Sequence, residues 1–222
     1  MNRITKTLLF VFIASSVFAQ TDKDQLALKI NAADEANTKN LTQYIWKRKS
    51  DVLVDGVSKV TVLTEFSYDE TGKLQAKAID AQTTVKQQRG LRGRAQKNAL
   101  EDKADYVGKA LQLSIAYTFM SKGELLDFIG KSTITESNGT IEATADNVYV
   151  KGDKLTVKVD AKTYLYLNKK FSSFLDKDPI DGVINYEKFS SGTNHVSATT
   201  LNMPAQKTKI DAKNQDYTVR VK

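Results

Sequence analysis

From Lys59 to Tyr68 the chain shows its cleanest alternation, broken only at Leu63. Val60, Val62, Thr64, Phe66 and Tyr68 fall on one side, and Lys59, Thr61, Glu65 and Ser67 on the other. Successive side chains of a strand point to opposite faces, so this period of two predicts a half-buried antiparallel strand. Upstream, Tyr44, Trp46, Val52 and Val54 lead into Asp55-Gly56, a dipeptide suited to the positive φ angles of a two-residue hairpin. Downstream, Asp69-Glu70-Thr71-Gly72 reads as a turn and Lys73 to Ala81 as a third strand. Strands joined this tightly form meanders, and their apolar face must be covered by another layer.

The second half repeats the pattern. Ile141 to Ala145 alternates, and the phase slips at Asp146-Asn147 before Val148 and Val150, which predicts a bulge. Lys151-Gly152-Asp153 turns the chain into a strand with Leu155, Val157 and Val159. Tyr164-Leu165-Tyr166-Leu167 is apolar on both faces and predicts a strand covered on both sides. Further strands are expected near 182–190, 194–202 and 215–221.

Helical spacing interrupts this series. Leu26, Ile30, Ala33, Ala36 and Asn37 predict a helix over 21–40. Leu100, Ala104, Val107, Leu111, Ile115 and Phe119 form a longer apolar stripe. Ser121-Lys122-Gly123-Glu124 then opens a shorter helix carrying Leu125, Leu126, Phe128 and Ile129, with Gly130 as a stop. The expected class is α+β. It is a strongly curved antiparallel sheet, an open half-barrel of about 9–11 strands, because a sheet that long must curl, close or be covered. An N-terminal helix and two inserted helices are expected to cover its concave face.

The first residues predict export. Arg3 and Lys6 precede the uncharged run Thr7 to Ala14, and Val17-Phe18-Ala19 ends in a small residue before Gln20. This is the layout of a secretory signal cleaved after Ala19. The apolar run is shorter than the roughly 20 residues a spanning helix needs. The reading is a cleavable signal over 1–19 and a single domain over 20–222, located in the periplasm or secreted. Without Arg3 and Lys6 the formal charge falls from +7 to +5. That excess is spread along the chain, which suits an anionic membrane surface better than nucleic acid. Nothing in the residues specifies an oligomeric state.

The chain has no cysteine, which removes thiolate metal sites, thiol nucleophiles and disulfides. His195 is the only histidine and has no nucleophile elbow beside it, so it reads as an exposed or edge-strand residue. Asp176-Lys177-Asp178-Pro179-Ile180-Asp181-Gly182 lacks the spacing of a calcium loop and reads as a Pro/Gly turn. No catalytic residue, metal or cofactor is expected, and the protein is read as not an enzyme. Two segments have open readings. The aromatics Phe66, Tyr68, Tyr149, Tyr164, Tyr166 and Phe119 either line an apolar cavity or fill an ordinary core. The stretch 86–97, with Arg89, Arg92 and Arg94, reads as an exposed loop that either is simply solvated or binds an anionic headgroup or partner.

The order of elements resembles the LolA-like lipoprotein-carrier superfamily. Three local stretches carry the likeness: Phe66 to Lys73, Gly139 through Val148, and Lys151 to Asp160. The resemblance implies an open half-barrel around an apolar cavity, and an exported carrier of a lipid, a lipoprotein acyl chain or another apolar ligand near the outer membrane. It carries over no catalytic residue. The alternative is a non-enzymatic envelope interaction module with a filled core. An enzyme with paired carboxylates ranks last, since nothing singles out two of them.

Overall fold

The computed structural model describes residues 20–70, 73–84 and 90–220. Residues 1–19, the expected export signal, lie outside them. Helix α1 (Gln20–Leu41) leads into strands β1 (Tyr44–Val54), β2 (Val57–Tyr68) and β3 (Leu74–Thr83). Helices α2 (Gly90–Thr118) and α3 (Lys122–Lys131) follow. The chain then runs through β4 (Thr133–Ser137), β5 (Thr140–Asp146), β6 (Lys154–Asp160), β7 (Tyr166–Leu175) and β8 (Asp178–Lys188). It ends with β9 (Asn194–Met203) and β10 (Thr208–Val219).

All ten strands form one antiparallel sheet in the order β3-β2-β1-β10-β9-β8-β7-β6-β5-β4. Every neighbour pair is a local hairpin except β1 with β10. That pair runs from Tyr44 opposite Val219 to Val54 opposite Thr208, with one register shift between Ile45 and Lys47, and welds the first meander to the second.

The half-barrel expected from the sequence does not form. The sheet is not closed or strongly curled: β3 and β4 are edges with one neighbour each. Apart from half-buried Leu74, β3 is exposed along its whole length. Its residues are mostly small or polar, so no apolar face exists there to draw the edge inward over a core. α1 and α3 pack on each other and against β9 and β5, while α2 packs on β7 and β8.

Several local signals act as their chemistry demands. Asp55 (φ +50°) and Gly56 (φ +75°) make the hairpin turn. Ser121 caps α3 reciprocally: its Oγ accepts from the Glu124 amide, and Glu124 Oε2 accepts from the Ser121 amide at 2.7 Å. At the other end of α3, Lys23 of α1 donates to the carbonyls of Gly130 and Ser132. Asn37 anchors α1 to β9 with two bonds, its Nδ2 donating to the Asn194 carbonyl and its Oδ1 accepting the Asn194 amide.

Other segments differ from their expected form. Residues 90–97 are the start of α2, not loop, and 85–89 lie outside the described residues. Tyr164 sits in a turn at φ +57°, and strand β7 begins only at Tyr166. Pro179 and Gly182 belong to β8; the turn is Asp176-Lys177 alone. Pro179 is exposed on β8 beyond the end of its pairing with β9, where a strand proline is tolerated.

The slip at Asp146-Asn147 is no bulge either. The chain leaves β5 there and wraps a loop around the side chain of Asp153. Asp153 is wholly buried. Its carboxylate accepts the amides of Val148 (2.6 Å), Tyr149 (2.9 Å) and Val150 (3.0 Å), and the Tyr117 hydroxyl of α2. The Tyr117 ring in turn stacks on Phe171 of β7, with centroids 4.1 Å apart. This unit fixes the C-terminal part of α2 onto the sheet.

Candidate functional site

Helix α2 has two apolar faces. Ala110 and Tyr117 are fully buried in the main core, with Tyr106 and Leu113 packed against it. The other face is the stripe Leu100, Ala104, Val107, Leu111 and Ile115, continued by Phe119 just past the helix end, and all six line a cavity of about 610 Å³. The opposite wall is the sheet: Val52 and Val54 of β1, Val60, Val62 and Phe66 of β2, Leu201 of β9, and Ile210 and Ala212 of β10. Period two puts the residues of each strand on one face. α2 makes its close packing on β7 and β8, so above β1, β2 and β10 it stands off and leaves the space. Ile115 is 54 % exposed and Phe119 48 %, so protein does not cover the stripe. An apolar concavity of this size lies within the usual range of ligand pockets.

The charged side chains of the lining have one sign. Among the described residues Arg48, Lys59 and Lys103 line it and no Asp or Glu does. Arg48 lies two residues beyond Trp46 on the same face of β1. Its Nε donates to Asn214 Oδ1 at 2.8 Å, and its guanidinium stands 4.9 Å from the centroid of the Phe66 ring. Burial holds its pKa below the ordinary arginine value, though Arg remains a cation at neutral pH.

Next to the cavity lies a recess of about 40 Å³ that shares Arg48, Phe66 and Phe119 with it. Trp46, Tyr68 and Tyr217 also line the recess. The Trp46 ring lies between Phe66 and Tyr217, stacked on both. His195 belongs to this cluster rather than to an edge or the surface: it is buried and stacks on Phe189 at 4.2 Å. Burial lowers its pKa, so its imidazole is neutral at physiological pH.

The aromatics singled out in the sequence divide. Phe66 and Phe119 line both cavity and recess, and Tyr68 lines the recess. Tyr149 is on the core side of α2, edge-on to Tyr117, with its hydroxyl donating to the Ala116 carbonyl. Tyr166 is buried beside Tyr186. Tyr164 is at a surface turn beneath Lys29. Of the arginines, Arg89 is outside the described residues, Arg92 is at the start of α2, and Arg94 is exposed. Arg48 escaped notice because Lys47-Arg48-Lys49 looks like a solvated charge run. The available signal was its phase, shared with Trp46 and Val52.

Lys169 was also unexpected. A register shift between Lys158 and Val159 reverses the phase of β7, so Tyr166 points inward and then Lys169, Phe171 and Ser173 do. Fully buried, Lys169 donates from Nζ to the Thr118 carbonyl at 2.7 Å and lies 3.9 Å from the Tyr166 ring centroid. Burial lowers its pKa to about 8, against the opposing pull of the Asp34 carboxylate. Between pH 8 and its unfolded value near 10.4 the unfolded chain holds a proton that the folded one has released, so stability rises with pH in that window. Above about pH 10 the buried tyrosines reverse the trend: Tyr68, raised by burial to about 12, keeps its proton folded and loses it unfolded. We expect urea titrations to show a gain of about 3 kcal/mol approaching pH 10, absent in Lys169→Met. A rise that persists in the variant would assign it elsewhere.

Among the described residues no group of three or more His, Asp and Glu side chains is placed to hold a metal ion. No family model matches the sequence, and no curated protein does. Among solved structures, a DUF1329 family protein from Desulfovibrio piger is similar at 10 % identity, over 92 % of this chain and 95 % of that one, with a TM-score of 0.41. A LolA superfamily protein from Nitrosomonas europaea is similar at 10 % identity, over 87 % of this chain and 94 % of that one, with a TM-score of 0.40.

Proposed function

We propose that this is an exported binding or carrier protein for a lipid, a lipoprotein acyl chain or another apolar ligand, held between α2 and the β1–β2–β10 part of the sheet. The observation that carries this reading is the apolar stripe of α2, with Phe119 just beyond it, lining an apolar cavity that protein does not fill. Leaving that surface in water forgoes about 25 cal/mol per Å² of burial, a cost that a ligand relieves. The same cavity weighs against an interaction module with a filled core. The signal-like residues 1–19 support a periplasmic site of action, with one domain from residue 20 onward.

Gly108 provides a clean test. It is in the interior of α2, lines the cavity, and has no atom within 4 Å of where a Cβ would stand. Gly108→Trp therefore introduces a large side chain at a position whose Cβ meets nothing, beside the cavity, and removes a helix-interior glycine, which costs up to about 1 kcal/mol relative to better helix formers. The expected result is unchanged or slightly higher thermal stability, with binding of a fluorescent fatty acid weakened at least about ten-fold, or 1.4 kcal/mol. Undiminished binding would show that the ligand is not there, and no binding by the parent protein would reject the reading itself.

A further inference from the structure

We infer that the recess beside the cavity is a carboxylate site, so that the ligand is a single-chain lipid anion with its tail along α2 and its head on Arg48. This rests on the cavity being a ligand site. Three observations lead to it. First, Arg48 is prepared but unspent. A guanidinium has five N–H donors, and of these only Nε has a protein acceptor among the described residues. Its orientation is nonetheless fixed. Asn214, which accepts from Nε, is itself held by its Nδ2 donating to the Val196 carbonyl at 2.7 Å, and the Phe66 ring supports the guanidinium. Among the described residues no carboxylate is paired with Arg48 and no acidic side chain lines cavity or recess.

Second, Trp46 lines the same recess, is 7 % exposed, and has a buried Nε1–H with no acceptor among the described residues. A buried N–H left unpaired costs about 1–3 kcal/mol, and an incoming oxygen would recover it. Third, the sizes divide the labour. The recess of about 40 Å³ is too small for a chain yet has room for a compact polar group, and it opens on residues shared with the cavity of about 610 Å³. A planar carboxylate matches the planar donor fork of Arg48, and a neutral ester offers neither the charge nor the second strong acceptor.

Calorimetric titration of the purified protein with oleate and with methyl oleate, at pH 8.5, separates the claims. Oleate is expected to bind at least about ten-fold tighter than its ester. Trp46, the only tryptophan, should change its emission with oleate and not with the ester. In Arg48→Met the acid-over-ester ratio should fall to about one, while Arg48→Lys keeps a preference because the charge remains. Equal affinity of the unaltered protein for acid and ester would overturn the carboxylate site and leave the cavity reading standing. Binding of neither would overturn both. The comparison on the unaltered protein decides even where an Arg48 variant fails to fold.

Discussion

Asp153→Ala is expected to lower stability by about 3–5 kcal/mol, because it strips a buried acceptor from four donors at once. For a chain of this length that is a fall in Tm of roughly 10–15 °C. The amides of Val148, Tyr149 and Val150 and the Tyr117 hydroxyl all lose their partner, in a place water does not reach. Asp153→Asn should fall between the two, since an amide keeps one acceptor atom and turns the other into a donor facing donors. The pH dependence has a definite sign. Burial alone would push the Asp153 pKa up, but the hydrogen bonds from Tyr117 and the three amides outweigh it and hold the carboxyl below its ordinary value. Its contribution is therefore complete above the unfolded value near 3.9 and is lost as pH falls through the lower folded value. Acid titration by circular dichroism should show this loss in the parent and not in Asp153→Asn. A neutral outcome for Asp153→Ala at pH 7 would mean the loop is held by something else.

Gly182→Ala is the second large effect, at about 3 kcal/mol, the upper part of the range for overpacking. A Cβ on Gly182 would stand 2.0 Å from Cε1 of Phe171. That ring has no easy retreat: it is 3 % exposed and stacked within 8° of parallel on Tyr117, whose hydroxyl is committed to Asp153 and Ser173. Phe171→Leu makes room at its own cost, so the double variant should be more stable than the sum of the two single losses predicts. Denaturant unfolding of all four proteins measures this coupling. Strict additivity would mean that the ring moves aside freely. Both substitutions strike the unit that seats α2 on β7 and β8. The height of α2 above β1 and β2, and with it the cavity, depends on that seat, so partial loosening should also weaken ligand binding.

Much of this molecule was readable residue by residue. The alternation of β2, the Asp55-Gly56 hairpin, the capping box at Ser121 and the stripe of α2 are local, and each follows from backbone geometry and a few neighbours. Even the material of the site was visible, in two apolar surfaces: the α2 stripe and the Val60–Phe66 face. What the residues alone left open was whether those surfaces touch. That depends on the distance between helix and sheet, which the Asp153–Tyr117–Phe171 unit sets from the far side of α2. Curvature was likewise a collective property: the exposed β3 and the pairing of β1 with β10 produce an open row with two edges where a half-barrel was expected. Lys169 and Arg48 make the same point for single side chains. A register shift turned one inward and the phase of β1 placed the other at the cavity, and a charge in a sequence does not disclose which face of a strand will carry it.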